Sequence, residues 1–91
     1  MSIAECGAEF DTGDLMFNYY DMKPIVVGKG SDWSGVIWYH CQNYDKDTTE
    51  PLNNNLLDGS RICSLDFAVG RGFITRDQVN AFKERMRSVC R

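Results

Sequence analysis

Residues 61–91 read RICSLDFAVGRGFITRDQVNAFKERMRSVCR, and the reading of this stretch decides the fold. It ends in a helix. Thr75 stands where a side-chain hydroxyl accepts from early helical amides, Gln78 can reach back to it, and Ile74 and Val79 bracket the turn as a hydrophobic staple. Val79, Phe82, Met86 and Val89 then recur at helical spacing and lay down one apolar stripe. Lys83, Arg85, Arg87 and Arg91 crowd the last turns, where cations complement the carbonyl end of the helix dipole. Ahead of the helix, Arg61 to Val69 alternates as a strand does. Cys63, Leu65, Phe67 and Val69 share one face, with Ser64, Asp66 and Ala68 opposite.

Upstream, Leu15 to Tyr20 is aromatic and suits a pleated surface, and Ile25-Val26-Val27 forms a second, β-branched run that Pro24 either begins or places at an edge of the sheet. Gly28 to Asp32 reads as a turn. Val36 to Cys41 is the strongest strand signal, with Val36, Trp38 and His40 on one face and Ile37, Tyr39 and Cys41 on the other. Asn43 to Ser60 is polar, with the triplet Asn53-Asn54-Asn55, and reads as a long loop, a common place for contact surfaces. Ser2 to Phe10 fits a turn of helix or an arm. The expectation is an α+β fold: a small antiparallel sheet of about four strands with one C-terminal helix packed on it, as a single domain over 1–91. Closure of the sheet into a barrel is the alternative.

Charge is unevenly placed. Residues 1–60 hold three Lys and ten acidic residues, whereas 61–91 hold seven Lys or Arg and three acidic residues, so the halves carry −7 and +4 within a net −3. Two surfaces of opposite sign are thereby available to steer a partner. No apolar run approaches the ~20 residues of a membrane span. Met1 to Cys6 lacks the basic start and apolar run of a secretory signal, so a cytoplasmic location with reduced cysteines is expected.

No catalytic or cofactor motif is complete. His40 and Cys41 are adjacent in a strand and point to opposite faces, which separates imidazole from thiol. Cys6, Cys41, Cys63 and Cys90 include no close pair of the kind zinc domains use. Gly28-Lys29-Gly30-Ser31 lacks the upstream glycine of a phosphate loop, and Asp45-Lys46-Asp47 lacks the turn glycine and closing glutamate of a calcium loop. Arg71-Gly72-Phe73 begins an RNA-binding strand signature that Ile74 and Thr75 break. Trp33, Trp38 and Tyr39 together with the cations could meet nucleic acid, but an acidic chain fits a mixed protein and nucleic-acid surface better.

In its small size, acidic balance, lack of enzyme signature and single sheet with one helix, the chain resembles the phage-encoded inhibitors of bacterial defence, including anti-CRISPR proteins. That resemblance implies a non-enzymatic inhibitor that blocks a host protein or ribonucleoprotein complex, touching its bound nucleic acid, with neither cofactor nor metal nor membrane involved, in the cytoplasm of a bacterial host. The expected contacts are Asp45, Asp47 and Glu50 against a basic groove, and Arg71, Arg76, Lys83, Arg85 and Arg87 against acidic protein or phosphate. A cysteine-based zinc or redox module and a toxin-neutralising partner are the alternatives.

Overall fold

The structure, a computed structural model, describes residues 12–89. The expected arm at Ser2 to Phe10, the side chain of Val89, Cys6, Cys90 and Arg91 lie outside the described residues. The chain forms β1 (Leu15–Asn18), β2 (Lys23–Trp33), β3 (Val36–Tyr44), β4 (Pro51–Asp58), a 3-10 turn (Gly59–Arg61), β5 (Ile62–Cys63), α1 (Leu65–Gly70) and α2 (Arg76–Val89). The five strands make one antiparallel sheet in the order β4-β3-β2-β1-β5. The α+β class and the C-terminal helix are as expected, with five strands in place of about four and two helices in place of one among the described residues.

Three local readings are corrected. The run Arg61 to Val69 is strand only at Ile62–Cys63, because Ser64 caps a helix by accepting from the Phe67 amide at 2.9 Å and Leu65 and Ala68 bury one turn apart. Gly28 to Asp32 is not the hairpin turn. β2 runs through it with a bulge between Val27 and Gly30, and the turn is Ser34-Gly35, both at positive φ, with the Asp32 carboxylate accepting from the Gly35 amide at 3.2 Å. Positive φ at both central residues is the geometry that suits a two-residue hairpin to strand twist.

The third correction turns the expected loop over 43–60 into the end of β3, a short turn, and β4. Asparagine is a poor strand former because its amide competes with the backbone. Here the amides are absorbed. Gln42 Nε2 donates to the Leu52 carbonyl at 2.7 Å and Asn43 Nδ2 to the Asn53 carbonyl at 3.1 Å, which bridges the irregular register between Gln42 and Tyr44.

The two faces of the sheet bury different clusters. Phe17 and Cys63 join Leu65, Ala68, Ile74, Val79, Phe82 and Met86 beneath the helices, and the expected stripe on α2 is buried there at Val79, Phe82 and Met86. On the other face Ile25, Val27, Tyr39, Cys41, Leu57 and Ile62 form a second cluster. Leu57 and Ile62 come from opposite edges of the sheet, so their sharing of a cluster shows that the sheet curls. In a flat sheet the edges would stand roughly 19 Å apart or more. The four steps from Asp58 to Ile62 span at most about 15 Å when extended, and a 3-10 turn shortens that reach. The result is an inner face coiled around its own core, toward the barrel-like closure, and an outer face that α1 and α2 cover in part. At the thin stability margin of so small a domain, both clusters are needed.

α2 begins as expected. The Gln78 amide donates to Thr75 Oγ1 at 3.1 Å and the Thr75 amide to Gln78 Oε1 at 3.0 Å, a reciprocal cap.

Candidate functional site

The outer face of β2, β3 and β4 beyond the reach of the helices is open. The Ser34-Gly35 turn sets Ser31 opposite Trp38 and Trp33 opposite Val36, and the next ladder sets His40 opposite Leu56. Ser31, Trp33, Trp38, His40 and Leu56 therefore line one shallow cleft of about 300 Å³. Trp33 is 71% exposed and Leu56 55%, with Val36 also exposed beside them. A second cleft of about 330 Å³ shares His40 and continues over Gly28, Gln42 and Asn54 to Thr12 and Gly13. Tyr39, by contrast, points inward and is buried. Of the three aromatic residues considered for stacking, only the two tryptophans share the accessible face. This site was within reach of sequence reading through the Ser-Gly turn signal, which fixes the pairing of Trp33 and Trp38; placing the turn at Gly28 to Asp32 hid it.

The charged residues expected to contact a partner are brought together more closely than their separation in sequence implies. Asp45 closes the β3 to β4 turn, its carboxylate accepting from the Asp47 amide at 2.7 Å and the Thr48 amide at 2.9 Å. Those amides, that of Thr48 foremost, hold its pKa below the usual carboxylate range. Asp47 accepts from Gln78 Nε2 at 2.6 Å, and Arg85 Nη1 donates to Thr49 Oγ1 at 3.3 Å, so the turn is strapped to α2. Glu50 is exposed at the end of the turn. The acidic turn and the cationic helix thus form one flank rather than two separate surfaces.

Each remaining cation has a local position. Arg76 pairs with Asp66 at 2.9 Å, and this guanidinium lowers the Asp66 pKa. Arg87 pairs with Glu84 at 3.3 Å. Arg71 lies over the Phe67 ring at 5.9 Å. Lys83 and Arg87, with Met86, Leu15 and Gly13, line a cleft of about 370 Å³ between α2 and β1. Exposed ion pairs of this kind add little stability, so their charges remain usable by a partner.

The two cysteines among the described residues, Cys41 and Cys63, do not converge on a metal or redox centre. Cys41 belongs to the inner cluster and Cys63 to the cluster under the helices, on opposite faces of the sheet. His40 and Cys41 also point apart, as their adjacency in a strand requires. Among the described residues no group of three or more His, Cys, Asp and Glu is placed to hold a metal ion. No helix among them is long and apolar enough to cross a membrane.

Burial pushes the Cys41 thiol from its ordinary 9.0 up to about 11, against the opposing hydrogen bond with the Gly28 backbone. A pKa raised in the folded state means that stability is complete below pH 9 and falls as pH rises toward 11. The loss expected at pH 11 is about 2 kcal/mol. Urea unfolding of the protein and of Cys41→Ala at pH 8, 9, 10 and 11 checks this: the difference between the two should shrink with pH. A constant difference would remove Cys41 as the source.

Compared with protein-family models, with curated proteins and with solved structures, the chain matches none.

Proposed function

We propose that this protein is a non-enzymatic binding protein that inhibits by occupying a partner's surface, and that it makes contact through the open outer face around Trp33, Trp38, His40 and Leu56. The observation that carries the reading is the pair of tryptophans on one accessible patch with Leu56 and Val36. Exposed apolar patches with a polar rim mark interaction sites, and tryptophan is prominent among residues that dominate binding energy. The flank of Asp45, Asp47, Glu50, Arg85 and Arg87 steers the encounter and sets its salt dependence.

The partner is a host protein or ribonucleoprotein complex, in the manner of phage inhibitors of RNA-guided defence. Two stackable indoles suit a surface on which exposed bases lie beside protein, and the cations of the flank at the other end of β3 can meet phosphate. The test uses bacteria that carry RNA-guided interference systems of several types and are challenged with matching phage. Expression of the chain should restore plaque formation against one type, and Trp33→Ala should weaken binding to that purified complex about 30-fold or more. Failure to relieve any system overturns the inhibitor reading. Relief unchanged by Trp33→Ala and by Leu56→Ala displaces the contact surface from this face.

A further inference from the structure

β4 is an edge strand, and among the described residues its ladder is with β3 alone. Natural sheet edges of this length are usually protected by lysine, proline, a bulge, inward charge or shortening; in β4 the proline and the irregularity stand at its first residues, Pro51 to Asn53, and leave Asn54 to Leu57 without any of these. β4 is eight residues long, and Pro51 to Leu57 carries no charge. Its sequence is also its own mirror image: Leu52-Asn53-Asn54-Asn55-Leu56 reads identically in both directions about Asn54. We infer that β4 pairs antiparallel with β4 of a second copy of this chain across a two-fold axis at Asn54, joining two sheets into one.

In that register Asn54 faces Asn54, and Leu56 lies alongside Leu52 of the copy, where β4 carries the extra residue of its irregular register with β3. Directly opposed side chains are the stabilising unit of an antiparallel pair. Leu52 and Leu56 are 41% and 55% exposed in one chain, so pairing removes apolar surface that the fold leaves in water. A carboxamide has both donor and acceptor, so two facing asparagines can satisfy each other. Such an interface is isologous and closes at two copies. Because His40 and Gln42 oppose Leu56 and Asn54 within one chain, these residues share the outer face. Dimerisation therefore leaves Trp38 open on the outer face and carries that face across the axis, with Leu56 packed sideways against the copy.

The one adverse pair sets Glu50 opposite Asp58 of the copy. Arg61 offsets the Asp58 charge within its own chain at 3.2 Å. The remaining repulsion, with a net charge of −3 on each copy, makes association stronger as salt rises.

The inference does not rest on the proposed function, since the isolated chain tests it. Sedimentation equilibrium from micromolar to near-millimolar protein should show the mass moving from 10.4 kDa to twice that value, at lower concentration in high salt. Leu52→Lys/Leu56→Lys brings lysines of the two copies together along the paired edge and should weaken self-association about 10-fold or more, with an unchanged circular dichroism spectrum. Asn54→Cys should cross-link to a covalent dimer through position 54 under mild oxidation, as mapped by mass spectrometry, whereas Asn53→Cys, on the other face, should not. A monomer at every concentration overturns the inference. So does a dimer indifferent to the lysine pair, or cross-linking equal at positions 53 and 54.

Discussion

Asn43→Ala is expected to cost about 3 kcal/mol of stability. Asn43 is fully buried and is the hub of the polar network on the inner face. Its carbonyl oxygen accepts from Asn18 Nδ2 at 3.0 Å, and its own amide donates to the Asn53 carbonyl at 3.1 Å and to Asn55 Oδ1. Asn18 in turn holds the β1 to β2 turn through the Tyr20 and Asp21 amides, at 3.0 and 3.1 Å. No buried side-chain polar atom among the described residues lacks a partner. Alanine leaves three groups dependent on longer contacts, such as Asn18 to Asp21 at 3.3 Å and Asn53 to Asn55 at 3.3 Å. Each of the three hydrogen bonds lost is worth roughly 1 kcal/mol net, and a domain of this size melts about 4–8 °C lower per kcal/mol. A melting point lowered by about 12–24 °C is therefore expected.

Asn43→Asp sharpens the test. The carboxylate keeps the shape and the acceptor for Asn18 but faces two oxygens with no donor. Burial and those oxygens both raise its folded pKa above the unfolded value of about 3.9. The variant is then least unstable below that pH, and loses stability as pH rises through the folded pKa. Urea midpoints at pH 4 and pH 7 should differ for Asn43→Asp by more than for Asn43→Ala; equal differences would show that the amide does not face acceptors.

The same network explains why part of the fold was legible in the sequence and part was not. α2 was legible because its signals are local and mutually consistent: Thr75 and Gln78 cap it, and Val79, Phe82 and Met86 share one stripe. β3 was legible because alternation with β-branched and aromatic residues has one reading at that length. β4 was not, since what makes Asn53, Asn54 and Asn55 a strand is a set of donors from Gln42 and Asn43, ten or more residues away. Cys63 to Val69 satisfies period two as well as a single helical turn, and only the Ser64 cap decides between them. The charged flank was legible as composition and not as geometry. Nothing in the sequence places Asp47 against Gln78 or Thr49 against Arg85, because both contacts depend on β4 returning the chain to α2. The tryptophan cleft follows from a single dipeptide, Ser34-Gly35, whose position sets every pairing in the β2 to β3 hairpin.

Gly28→Ala is expected to cost about 3 kcal/mol or more, at or beyond the upper end of ordinary overpacking, for a reason rooted in that hairpin. Gly28 sits in the β2 bulge, where the ladder is interrupted between Val27 and Gly30. A Cβ there would stand 2.3 Å from the His40 carbonyl oxygen, a backbone atom that no rotamer change can move. Relief requires β2 and β3 to separate where Val27 and Cys41 oppose each other and enter the inner core. Three other glycines calibrate the effect. At Gly30 an added Cβ meets side chains rather than backbone, Ile37 Cγ2 and the Tyr39 ring at 3.0 Å, so Gly30→Ala should cost less. Gly35, at φ +83 with open space around it, should cost only the roughly 1–2 kcal/mol of placing a side chain in the left-handed region. Gly70, at ordinary φ in α1 with nothing near it, should gain a few tenths to about 1 kcal/mol on substitution by alanine. Thermal and urea unfolding of the four variants should rank Gly28 worst and Gly70 best. A Gly28→Ala protein as stable as Gly35→Ala would mean that the bulge is elsewhere in β2. The pairing that assembles Trp33, Trp38 and His40 into one face would then be lost as well, because a one-residue slip in a strand sends every side chain to the opposite side.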